Sequence, residues 1–115
     1  MRTYRPDRVG SVIQKELSAL LLREIDFPEG VLVTISDVRV SSDLSHAEIG
    51  VSIFPENAKK SLFDVLKEKQ GTLQFLLNRK MNIKPMPRIN FVINEGSEKA
   101  SRIEKIFLDE DNKEE

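Results

Sequence analysis

Residues 33–55 read VTISDVRVSSDLSHAEIGVSIFP, and this stretch contains the clearest structural signal in the chain. Its second half is apolar at every second position, at Ala47, Ile49, Val51 and Ile53. Such alternation is typical of a strand with one buried face. The first half alternates in the same way but changes phase by one residue at Ser36 and Asp37. Because a bulge produces such a change, we expect an antiparallel hairpin over about 31–40 and 45–54, bulged near Asp37.

Helical periodicity lies on both sides of this hairpin. Apolar residues recur at three- and four-residue steps over 7–25, and again over 56–69 and 73–81. Gly71 falls between the last two segments. We therefore expect either two helices or one helix sharply kinked at Lys69-Gln70-Gly71.

A third strand is predicted over about 88–94, and a short closing helix over 100–107. The helical crossover before the third strand is long enough to permit parallel pairing with the second strand. The order α-β-β-α-kink-α-β-α thus predicts a two-layer α+β fold, in which the helices cover one face of a three-stranded mixed sheet. The 45–54 strand should be central, and the other sheet face should stay open.

Size and composition describe a single globular domain. The chain has 115 residues, a mass of 13.2 kDa and no cysteine, which excludes disulfides and thiol chemistry. No apolar run approaches the roughly 20 residues of a membrane span, and no signal-peptide pattern is visible. We expect one domain over 1–108, an acidic disordered tail over 109–115 and a cytoplasmic location.

Charge is unevenly distributed along the chain, although its net value is only −1. Residues 104–115 carry six acids and two lysines, whereas 70–94 contain no acid at all. Within 70–94 there are four cations, at Arg79, Lys80, Lys84 and Arg88. Two interpretations remain open: a solvated basic face, or a patch that binds phosphates.

Catalysis has little support in the sequence. The single histidine, His46, lies close to Asp43 and Ser45, and residues so near in sequence do not readily adopt nucleophile–base–acid geometry. Turn residues of a hairpin explain all three more simply. One histidine without cysteine leaves no transition-metal ligand cluster, and no glycine-rich nucleotide loop is present. We expect no enzymatic activity and no cofactor.

The segment Lys69-Gln70-Gly71 is a possible site of phosphate contact. A helix that began after Gly71 would present its N-terminal N–H groups, which attract phosphates, and glycine permits close backbone approach. The alternative is that Gly71 only caps a helix and that the neighbouring lysines are solvated.

The hairpin sequence over 33–47 resembles the signature of the ribosome-binding factor A family. Four further segments are similar to that family: Arg8-Val9, Gly71-Thr72-Leu73, Pro87-Arg88-Ile89-Asn90-Phe91 and Arg102-Ile103. The resemblance covers about residues 5–108. It implies a KH-like fold of the second topological type. In ordinary KH domains a G-x-x-G loop clamps the nucleic-acid backbone, and this family instead has an Ala-x-Gly kink, which corresponds here to Lys69-Gln70-Gly71.

The resemblance also implies a function. Members are bacterial assembly factors, not enzymes, that bind the immature small ribosomal subunit and its 16S rRNA and assist processing of the 5′ end. We therefore expect a cytoplasmic monomer that needs no cofactor, no membrane and no small-molecule substrate. The predicted RNA-binding residues are Arg5, Arg8, Lys69, Gly71, Arg79, Lys80, Lys84 and Arg88.

Three alternatives remain open. The chain could be a general single-stranded RNA-binding KH-like module, which unstructured RNA would displace from its target. It could be a small hydrolase that uses Asp43 and His46. It could also be a structural dimer that pairs through the open sheet face.

Overall fold

The hairpin predicted from the sequence supplies two of the three strands of the sheet in the structure, a computed structural model that describes residues 5–94. The elements, in chain order, are α1 (Pro6–Glu24), β1 (Leu32–Val40), β2 (His46–Phe54), a 3-10 turn (Glu56–Ala58), α2 (Lys59–Met81) and β3 (Arg88–Ile93). The predicted closing helix over 100–107 and the acidic tail over 109–115 lie outside the described residues.

The sheet has the predicted topology. Its strand order is β1-β2-β3, with β2 antiparallel to β1 and parallel to β3. The register shifts between Ile35 and Asp37, which confirms the bulge. The shift keeps the apolar side chains on one face, since Ile35 lies opposite Val51 and Val38 lies opposite Ile49.

The bulge folds two polar side chains over Gly50 on the central strand. The Ser36 hydroxyl donates to the Gly50 carbonyl oxygen at 3.0 Å, and a Cβ atom at Gly50 would collide with the Asp37 carboxylate. Gly50 is consequently buried, although its position lies on the face that we expected to be open. Glycine thus leaves room for the Asp37 carboxylate, which would have to move aside for any larger residue at this position.

Both helices pack on the same face of the sheet and against each other, as predicted for a two-layer α+β fold. The core of the described chain is entirely apolar. From α1 it takes Val9, Ile13, Leu17, Leu20 and Leu21; from α2 Leu62, Leu66, Leu73 and Leu77; and from the sheet mainly Ile49, Val51, Ile89 and Phe91. Within 5–94, no helix is both long enough and apolar enough to cross a membrane.

The helix α2 corrects one prediction. We expected a break or sharp kink at Lys69-Gln70-Gly71, but α2 runs without interruption from Lys59 to Met81, and Gly71 has no positive φ. The physical reason is burial: the leucine stripe passes Gly71 in phase, since Leu66 and Leu73 are seven residues apart and both are buried. Packing of that stripe on the sheet holds the glycine in the helix. The C-terminus is instead set by Asn82, which adopts a left-handed conformation with φ 51°.

Candidate nucleic-acid interface

An open groove separates the second half of α2 from the start of β3. Its volume is 390 Å³, and its lining residues are Gln70, Gly71, Gln74, Asn78, Met86, Arg88 and Ile89. Two of the predicted RNA-binding residues, Gly71 and Arg88, therefore line the same groove from opposite walls. The remaining lining is mostly side-chain amide, which can both donate and accept hydrogen bonds.

Two glutamines build the floor of this groove by capping the free edge of β3. The Gln74 side-chain oxygen accepts from the Ile89 backbone N–H at 2.7 Å, and that of Gln70 accepts from the Phe91 N–H at 3.2 Å. Residues four apart on a helix rise about 6 Å, and residues two apart on a strand rise about 6.6 Å. The two spacings match, so one helix face satisfies successive outward N–H groups of the edge strand.

Gly71 leaves an opening in the α2 wall of the groove. Apart from its chain neighbours and the backbone of its own helix, no atom lies within 4 Å of the place that its Cβ would occupy. Its turn of the helix therefore presents backbone rather than a side chain. The glycine predicted to contact RNA is accessible, but as part of a regular helix and not as an elbow.

Lys69 and Gly71, which the sequence placed together at one elbow, lie on different sides of α2. In a continuous α-helix, residues two apart point about 200° away from each other around the axis. Gly71 lines the groove, so Lys69 lies on the other side of α2. Lys80, eleven residues further along, shares that side, and its ammonium lies 3.9 Å from the Glu16 carboxylate of α1.

Arg79 has an aromatic neighbour that sequence reasoning missed. Its guanidinium carbon lies 5.9 Å from the centroid of the Phe75 ring, and the ring is 59% exposed. The signal was present in the sequence, because Phe75 falls two residues from both Leu73 and Leu77 and therefore off the apolar stripe. Gln70 and Gln74 were missed as well. Their role depends on where β3 lies, which the periodicity of α2 does not specify.

The other predicted cations lie at the end of the molecule that carries the hairpin loop. Arg88 is exposed, and its backbone N–H donates to the Ser45 carbonyl oxygen at 3.0 Å. Lys84 is exposed in the connection between α2 and β3. Arg5 and Arg8 are exposed at the start of α1. A Cβ atom at Gly10, just beyond them, would lie 3.2 Å from the Val38 carbonyl oxygen near the end of β1.

The loop residues Asp43, Ser45 and His46 form a turn and not a catalytic relay. The Ser45 hydroxyl lies between the other two side chains, 2.7 Å from Asp43 Oδ1 and 2.8 Å from His46 Nδ1. A hydrolytic triad requires the histidine in the middle. Hydrogen bonds from the Ser45 and Ser41 hydroxyls lower the pKa of Asp43 from 3.8 to about 2. Within 5–94, no three side chains of metal-ligating type come together.

Comparison with known proteins gives a consistent result. The family model described as "Ribosome-binding factor A" matches residues 5–107. A ribosome-binding factor A from Brevibacillus brevis is 38% identical over 109 residues, which are 93% of this chain and 89% of the relative.

Two known structures share the fold. The crystal structure of ribosome-binding factor A from Thermus thermophilus has a TM-score of 0.68 at 22% identity, and the match covers 78% of this chain and 97% of that one. A homology model of the Thermus thermophilus protein, as fitted into the cryo-EM map of a 30S–RbfA complex, has a TM-score of 0.64 at 23% identity, over 76% of this chain and 92% of that one. The family match spans both helices, the bulged hairpin and the third strand, and the chain belongs to the ribosome-binding factor A family.

Proposed function

We propose that this protein binds the small ribosomal subunit through its 16S rRNA during late maturation and assists processing of the 5′ end of that rRNA. Membership of the family supports the first part, since family members are named for ribosome binding. The related Thermus thermophilus protein is described in a complex with the 30S subunit.

The observation that carries the proposal is the absence of acidic residues from the chain segment that lines the groove. Residues 70–94 form the second half of α2, the connection and β3, and they contain four cations and no carboxylate. Arg79, Lys84 and Arg88 are all exposed. Such a surface has a positive potential that attracts the phosphate backbone of RNA.

Sedimentation with immature small subunits tests the proposal. The test variant replaces Arg79, Lys84 and Arg88 with glutamine. The matched control replaces three exposed cations elsewhere, Arg23, Arg39 and Lys60, so that both variants lose the same net charge. We expect the parent and the control to sediment with the subunits and the test variant to remain largely in the supernatant. Equal sedimentation of the two variants would contradict the assignment of the site.

The processing role needs a separate readout. In cells that lack the parent gene, the fraction of 16S rRNA with an unprocessed 5′ end should fall when the parent or the control is supplied. It should stay high with the test variant. A variant that fails to bind subunits but restores processing would overturn the proposed link between binding and maturation.

A general single-stranded RNA-binding module is the second candidate, and the amide-lined groove favours it because side-chain amides can bond to base edges. Competition separates the two functions. Excess unstructured RNA displaces a general binder from the subunit but leaves a subunit-specific factor bound.

A further inference from the structure

Phe75 is an exposed aromatic residue whose position folding does not explain. Its ring is 59% exposed, and it lies on the side of α2 opposite the buried Leu73 and Leu77. Those leucines already supply the contact between this part of α2 and the sheet. Single exposed apolar residues are common on protein surfaces, so the surroundings of the ring decide whether it belongs to a binding site.

The ring has a cation beside it and open space next to it. The Arg79 guanidinium lies over the ring at 5.9 Å, within the range of a cation–π contact. Side chains on a helix lean towards its N-terminus, so the ring leans over the turn that contains Gly71. At Gly71 no atom beyond its chain neighbours and its own helix backbone lies within 4 Å of the place of the missing Cβ.

The ring also borders the groove. Its two neighbours on the helix surface, Gly71 and Asn78, both line the groove, and Arg88 lies on the opposite wall. A planar group that lay against Phe75 would thus have a guanidinium on one side and a groove with a further arginine on the other. This combination of an aromatic face and flanking cations is how proteins hold an unpaired nucleobase between two phosphates.

Two other phenylalanines within 5–94 lack this combination of exposure, cation and groove. Phe54 is 67% exposed, but it lies at the end of β2 opposite Leu32 and not on α2 beside the groove. Phe63 has the Lys67 ammonium 5.8 Å from its ring but packs partly against the core.

We propose that Phe75 is a stacking platform for one unpaired base of single-stranded RNA, with Arg79 and Arg88 contacting the phosphates on either side. This inference rests on the proposed function and adds the form of RNA that the groove accepts. It requires a single-stranded segment, because a base paired in a helix cannot present its face to the ring.

The test uses a short fluorescent oligoadenylate and the same backbone with abasic sites. Phe75→Ala and Phe75→Leu are compared with Leu22→Ala, which removes an even more exposed apolar side chain (77% exposed) from α1. Loss of one stacked base should weaken binding by about five- to a hundredfold. We expect this loss in both Phe75 variants and on the abasic strand, and no change in Leu22→Ala. Because leucine is a strong helix former, Phe75→Leu should keep α2 intact, and an unchanged thermal midpoint checks that its fold is preserved.

A second measurement detects stacking directly. The chain contains no tryptophan, so Phe75→Trp introduces a single reporter at the proposed platform. Its emission should be quenched by the oligoadenylate and much less by the abasic strand. Equal affinity of Phe75→Leu and the parent, an unquenched tryptophan, or no binding of the parent to the oligoadenylate would each overturn the stacking proposal.

The outcome is separable from that of the proposed function. If the parent sediments with immature subunits but Phe75→Leu binds as well as the parent, subunit binding stands and the stacking proposal fails. If the parent does not sediment with subunits, the proposed function fails, whatever the oligoadenylate measurements show about stacking.

Discussion

The side-chain oxygen of Gln74 on α2 accepts the backbone N–H of Ile89 on β3 at 2.7 Å, while its amide nitrogen donates to the Pro87 carbonyl oxygen at 3.1 Å. One side chain thus satisfies two backbone groups at the free edge of the sheet. An unprotected edge strand exposes such groups to pairing with other chains. The helix therefore both covers the core face and closes the edge.

Replacing Gln74 with leucine should lower the free energy of unfolding by about 1–2 kcal/mol, because partly buried backbone groups of Ile89 and Pro87 lose their partners. Chemical denaturation measures the change. Thr72→Ala, at an exposed position on the same helix, is the control and should alter stability much less. A change no larger than that of the control would mean that water replaces the glutamine without cost.

Gly71→Ala should stabilise the protein by about 0.5–1 kcal/mol, because alanine is the better residue in a helix interior and its methyl group meets no atom. Gly30→Ala is the opposite control: Gly30 has φ +84°, where alanine is strained, so the variant should lose about 1–2 kcal/mol. Thermal melts show whether each substitution raises or lowers the stability of the protein. A destabilised Gly71→Ala would restore the helix break that the sequence suggested.

The helix break illustrates which signals in the sequence carried structural information. Strand alternation predicted the hairpin and its bulge, because a one-residue phase change leaves few alternatives. The long helical crossover predicted the central position of β2, because it permits parallel pairing with β3. At Gly71 the propensity of glycine was weighed above the leucine stripe, yet a stripe that stays in phase from Leu66 to Leu73 indicates one helix. Tertiary burial outweighs a local cost of about 1 kcal/mol.

The candidate site was less accessible to sequence reasoning. The sequence identifies the cations Arg79, Lys84 and Arg88. Whether they lie close together depends on the path of the connection between α2 and β3. The pairing of Gln70 and Gln74 with β3 joins residues more than a dozen positions apart, and no local pattern encodes it. Phe75 could have been identified, since an aromatic residue off the buried stripe is itself informative.

Asp43 should titrate with a pKa of about 2, below its ordinary 3.8, because the Ser45 hydroxyl and then the Ser41 hydroxyl donate to its carboxylate. A lowered folded-state pKa means that the ionised turn contributes its stability above about pH 4 and loses it as the pH falls towards 2. NMR titration of the carboxyl carbon measures the midpoint. Ser45→Ala should move it upwards; an unmoved midpoint would mean that the hydroxyl does not hold the charge.

Salt dependence should distinguish two adjacent cations on α2. If about four phosphates are contacted, the logarithm of affinity for immature subunits should fall against log salt with a slope near −3. Arg79→Gln should make that slope shallower, because its guanidinium lies beside the exposed Phe75 ring. Lys80→Gln should change it less, since the ammonium already lies 3.9 Å from the Glu16 carboxylate.

Both should leave the thermal midpoint nearly unchanged, because exposed charges contribute little to folding. If Lys80→Gln made the slope shallower than Arg79→Gln did, the RNA would lie on the α1 side of the helix. A slope near zero for the parent would exclude phosphate contact as the source of affinity.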